Sequence, residues 1–132
     1  NKTALPRAFL ARSARFVDGE QQLRGEMAAA DARSLRETIL LGSGFSGSVG
    51  VGPFAGGRVS FSAYHPDRIE LLLETDGPSL LFVSNSFSPF WQCEADGVRR
   101  EIMPAFGAFW AVHLPSSARR VVFRYAPPYK LF

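Results

Sequence analysis

Arg58-Val59-Ser60-Phe61-Ser62-Ala63-Tyr64-His65-Pro66-Asp67-Arg68-Ile69-Glu70-Leu71-Leu72-Leu73-Glu74 is the stretch that decides the fold class. Val59, Phe61 and Ala63 alternate with Ser60, Ser62 and Tyr64. After the turn-forming His65-Pro66-Asp67, Ile69, Leu71 and Leu73 alternate with Glu70, Leu72 and Glu74. A period of two sends successive side chains to opposite faces of a strand. Both halves are therefore expected to be half-buried strands, with Glu70 and Glu74 on the solvent side. Two such strands joined by a short turn make an antiparallel hairpin.

Downstream the pattern repeats. Thr75-Asp76-Gly77-Pro78 turns the chain, and the continuous apolar run Leu80 to Val83 suits a strand covered on both faces. Phe90 to Ala95 precedes Asp96-Gly97, a strong two-residue hairpin signal. Val98 to Met103, Ala108 to Leu114 and Val121 to Tyr125 complete about seven strands from Arg58 onward, with turns every eight to twelve residues or so. The expectation is a mainly β, antiparallel β-sandwich of jelly-roll or galactose-binding-like type. Residues 1–132 are read as one domain.

Upstream, residues 42–57 hold seven glycines with interleaved serines and a proline, and are expected to form a mobile loop. Within it Gly50-Val51-Gly52-Pro53-Phe54-Ala55 spells a dinucleotide fingerprint, but that motif needs a helix opening inside it. Pro53 and Gly56-Gly57 lead into a strand pattern instead, so no nucleotide is expected. Residues 1–41 form a strand–helix–strand lead-in. Pro6 to Val17 is extended, and Asp18-Gly19-Glu20-Gln21 is a capping-box variant with Asp18 as N-cap. Leu23, Met27 and Ala30 give one apolar face to a short helix ending near Ala30, and Thr38 to Leu41 is a strand.

Composition narrows the function classes. With 46% hydrophobic and 20% charged residues, the 132-residue chain can build a packed core. Its single cysteine, Cys93, excludes an internal disulfide framework and a thiolate zinc cage. The net charge of +3 is too small to imply nucleic acid as a partner. Arg99-Arg100 and Arg119-Arg120 stand beside turns, either as solvated charges or as contacts to a phosphate or lipid headgroup. No run approaches the roughly 18 apolar residues of a membrane span. The opening Asn1-Lys2-Thr3 and the ending Tyr129-Lys130-Leu131-Phe132 suggest a piece of a larger protein.

No catalytic constellation emerges. There is no Gly-x-Ser-x-Gly elbow, and His65 and His113 fall in separate elements. Glu70 and Glu74 sit about 13–14 Å apart at strand rise, and Glu94, Asp96 and Glu101 flank a hairpin as solvated charges. Cys93 shares the inward face of Trp91 and Ala95, where a thiol acts as a small hydrophobe. No cofactor and no metal are expected. The aromatics Phe87, Phe90, Trp91, Phe106, Phe109 and Trp110 crowd two segments, and rings can stack on sugars as well as fill cores. Trp91 is assigned to the core. Trp110 with Phe109 is the better ligand platform, with Phe90 and Trp91 as the remaining candidates.

The order of these pieces resembles the bacterial YfhO-like polytopic membrane proteins, which are similar to GT-C type glycosyltransferases. Asn1-x-x-Ala4-Leu5-Pro6-Arg7-Ala8-Phe9 looks like that family's opening signature, and Tyr64-His65-Pro66-Asp67-Arg68-Ile69 like a strand entry. Ser84 to Gly97, with Pro89, Trp91, Asp96 and Gly97, is similar to its Pro-Gly-Trp…Asp-Gly block, although Phe90 replaces the glycine. Phe106 to Pro115 and Val121 to Tyr125 with Pro127 match the remaining blocks. The resemblance implies a non-catalytic extracytoplasmic domain, periplasmic or cell-surface, of a membrane glycosyltransferase-like protein. Its partners would be the rest of that protein and a glycan, lipid-linked sugar or acceptor. A structural or protein-interaction module without a small ligand is the alternative.

Overall fold

The computed structural model describes residues 7–47 and 49–127. Asn1 to Pro6 of the opening signature, Ser48 of the glycine loop and the Tyr129 to Phe132 ending lie outside the described residues. The chain is mainly β. Its strands are β1 (Ala8–Ala11), β2 (Ser13–Val17), β3 (Thr38–Gly42), β4 (Gly57–His65), β5 (Arg68–Thr75) and β6 (Ser79–Val83), followed by β7 (Trp91–Ala95), β8 (Val98–Arg100), β9 (Met103–Ala105), β10 (Phe109–Leu114) and β11 (Arg120–Tyr125). Two helices, α1 (Glu20–Ala29) and α2 (Ala32–Glu37), join β2 to β3.

Three sheets result. A five-stranded antiparallel sheet runs β4-β5-β11-β7-β8, and a four-stranded antiparallel sheet runs β1-β6-β10-β9. β2 and β3 form a separate parallel pair, which a crossover connection must join, and the two helices supply it. The β4–β5 hairpin predicted from the alternating stretch is present, with Val59 opposite Leu73 and Phe61 opposite Leu71.

The four-stranded sheet is the middle layer. One of its faces contributes Leu81, Val83, Trp110, Val112 and Leu114 to a core shared with Ile69, Leu71, Cys93, Val121 and Phe123 of the five-stranded sheet. The other contributes Leu80, Phe82, Met103 and Ala111 to a second core with Ile39, Leu41 and Val17. Every residue of β6 is buried, as the unbroken apolar run requires.

Four details differ from the sequence expectation. The predicted strand from Val98 to Met103 is two strands, β8 in one sheet and β9 in the other, because the chain changes layers at Glu101-Ile102. α2 is an additional helix, capped by Asp31, whose side chain accepts the Ser34 N–H at 2.8 Å. α1 begins one residue later than the capping box implied. Gly19 is its N-cap, and Gln22 rather than Gln21 reaches back to the Asp18 N–H at 2.7 Å. The glycine loop is tied down: Phe54 N–H donates to the Arg12 carbonyl at 2.7 Å, Ala14 N–H to that of Val51 at 3.0 Å, and Val49 is buried.

Candidate functional site at the aromatic end of the sandwich

A β-bulge in β4 shapes one end of the molecule. Register shifts between Phe61 and Ala63, so Ala63 faces Glu70 and Tyr64 faces Ile69. An extra residue inverts the alternation beyond it. Tyr64, which follows Ser60 and Ser62 in the alternation, is thereby turned to the side of Phe61, with ring centroids 5.5 Å apart. The Arg7 guanidinium packs 4.5 Å from the Tyr64 centroid and 5.7 Å from that of Phe61. The Tyr64 hydroxyl donates to Asn85 Oδ1 at 3.0 Å. Tyr64 nonetheless remains 49% exposed.

Asn85 belongs to the 84–90 connector, which crosses this end from β6 to β7. Backbone bonds hold it in place: Ser84 N–H to the Arg7 carbonyl at 2.8 Å and Phe87 N–H to that of Ala108 at 2.7 Å. The same end carries Phe90, Trp91 and Tyr125, with Trp91 5.4 Å and Phe90 6.5 Å from the Tyr125 ring.

The four sequence candidates separate here. Trp110 is fully buried, stacked 4.5 Å from Phe123, with its indole N–H donating to the Ser86 carbonyl at 3.2 Å. It presents no face to a ligand, which corrects the expectation that it would be the better platform. Phe109 packs against Phe82 in the second core, on the opposite side of the sheet from Trp110. Trp91 is partly buried against Trp110, and Phe90 stands at the surface. Of the four, Phe90 and Trp91 are therefore the pair that reaches the aromatic end. Sequence reasoning missed Arg7, Tyr64 and Asn85 as site residues. The bulge that recruits Tyr64 leaves no mark in an alternation that looks regular.

The carboxylates hold structural posts. Glu70 receives Arg120 and Arg68, each at 2.8 Å, and the Arg120 hydrogen bond above all holds its carboxyl down at about 2. Glu94 pairs with Arg124 at 3.1 Å, while Asp96 accepts the backbone N–H groups of Arg119 and Arg120 at 3.1 and 3.0 Å. Burial pushes the Cys93 thiol up to about 12. Among the described residues, no group of three or more His, Cys, Asp or Glu side chains is placed to hold a metal. No helix among them is long and apolar enough to cross a membrane. No family model, curated protein or solved structure matches the chain.

Proposed function

We propose that this chain is a non-catalytic binding domain, an extracytoplasmic part of a polytopic glycosyltransferase-like membrane protein, and that its aromatic end positions a glycan, lipid-linked sugar or acceptor. The observation that carries this reading is the half-exposed Tyr64, braced by Arg7 and Asn85 at the end of the sheet that also carries Phe90 and Trp91. A ring held rigidly next to a guanidinium and an amide offers what a pyranose needs, an apolar face and directional hydrogen bonds. The order of sequence blocks resembling the YfhO-like proteins supports the membrane context.

Titration of the intact chain with neutral mono- and disaccharides, followed by NMR, tests the binding. Saturable shifts at the Trp91 indole, Tyr64 and Asn85 are expected. Tyr64→Ala should abolish them while barely moving the melting temperature. Shifts absent at millimolar sugar would reject the glycan reading and favour an interaction module. Flanking coding sequence with apolar spans of about 20 residues is expected from the membrane assignment, and its absence would remove that assignment.

A further inference from the structure

Arg99 and Arg100 end a strand that, among the described residues, has one neighbour, since β8 pairs there with β7 alone. Arg100 lies opposite Cys93, which is fully buried, so its side chain starts on the inner face of the sheet. There its Nε is buried and, among the described residues, without a hydrogen-bond partner. None of the six ion pairs among the described residues uses Arg99 or Arg100. A buried donor on a charged group is costly to leave unmet, and none of the described residues supplies its acceptor.

The space beside it suits one. A cavity of about 170 Å³ is lined by Val49, Arg99, Arg100, Glu101, Met103 and His113. That volume exceeds the roughly 30 Å³ share of a water molecule several-fold. His113 reaches it from β10, where its ring packs 5.8 Å from Phe54. Burial, with Arg100 adding to it, pushes the His113 imidazole below the ordinary histidine range. Glu101 is the one carboxylate among the lining residues, and it is exposed.

We propose that Arg100 and His113 form an oxyanion site for a phosphoryl group at the open edge where β8 leaves the five-stranded sheet. Arg is suited to such a group because its planar fork presents paired donors to tetrahedral oxyanions. The site is independent of the aromatic end. An inward charge on an edge strand also deters sheet-to-sheet pairing, and that role needs no anion.

Inorganic phosphate titrated into the intact chain distinguishes these roles, followed by NMR at the Arg100 Nε–H and the His113 imidazole. Saturable shifts at both are expected, with the His113 titration midpoint moving upward because a neighbouring anion favours imidazolium. Arg100→Gln should weaken binding at least about tenfold, the scale of one charge-assisted hydrogen bond. Arg100→Lys, which keeps the charge but loses the fork, should fall between, and Arg119→Gln should match the parent chain. Melting curves establish that each variant is folded. Sedimentation with phosphatidylcholine vesicles, with and without phosphatidic acid, identifies the source of the phosphoryl group. Capture by phosphatidic acid that Arg100→Gln abolishes assigns a lipid headgroup, whereas response to free phosphate alone assigns a soluble phosphate or its ester. Non-saturating shifts, equal shifts with chloride at matched ionic strength, or unchanged binding by Arg100→Gln would overturn the proposal.

Discussion

Trp110 and Trp91 touch, with centroids 4.9 Å apart, yet their burial assigns them different energies. Trp110 is wholly withdrawn from solvent, and its loss would also strip the Ser86 carbonyl of its indole donor. Trp110→Ala should cost about 3–5 kcal/mol. Trp91→Ala should cost about 2–3 kcal/mol, because its ring is only partly buried. Urea denaturation of the two variants checks the order, which reverses the one the sequence suggested. Glu70 gives a pH signature. Its carboxyl titrates near 2 when folded against an ordinary 4.5, so its contribution is complete above about pH 4.5 and fades as pH falls toward 2. Melting temperatures of Glu70→Gln and the parent chain should therefore differ at pH 6 and converge near pH 2. A constant gap across that range would show that the Arg120 pairing does not operate in solution.

Among the elements, the β7–β8 hairpin was the most legible. Asp96 and Gly97 take φ of +49° and +84°, as a type I′ turn demands, and a Cβ on Gly97 would meet nothing within 4 Å. The cost of Gly97→Val is thus torsional alone, about 1–2 kcal/mol by thermal melt. Gly57→Ala is a sterner case, since its Cβ would overlap the Glu74 carbonyl oxygen, and it should unpair the start of β4 from β5. Alternation and turn residues gave the two strands of the opening stretch and the buried β6 because those signals are local. What escaped was set by distant partners. α2 carries little apolar periodicity beyond Leu35, and its Asp31 cap is a single residue. The parallel pairing of β2 with β3 depends on residues 25 apart, such as Ser13 with Thr38. The glycine loop looked mobile from composition, but Val49 and Phe54 anchor it through contacts that no local pattern announces. The candidate site suffered most, since a bulge rather than a motif places Tyr64.

At the scale of the whole molecule, the central question is whether two cores on opposite faces of one sheet behave as one unit. Phe82 sits in the second core among Phe9, Phe106 and Phe109, at centroid distances of 4.8, 5.8 and 5.9 Å. Cys93 sits in the first, across the four-stranded sheet, and its thiol is protonated and enclosed until the protein opens. The two lie in separate clusters, but β6 belongs to both cores, with Leu81 and Phe82 facing opposite ways. If neither core survives without β6, opening is global, and damage in one must expose the other. Phe82→Ala, at about 3–5 kcal/mol, should then accelerate Cys93 alkylation by roughly 10² to 10³-fold or more, tracking the fall in global stability. Labelling rates under native conditions, read beside the denaturation curve of the same variant, provide the check. A second, earlier melting transition with unchanged Cys93 labelling would mean that the β2–β3 layer opens alone and that β6 remains paired within an intact sandwich.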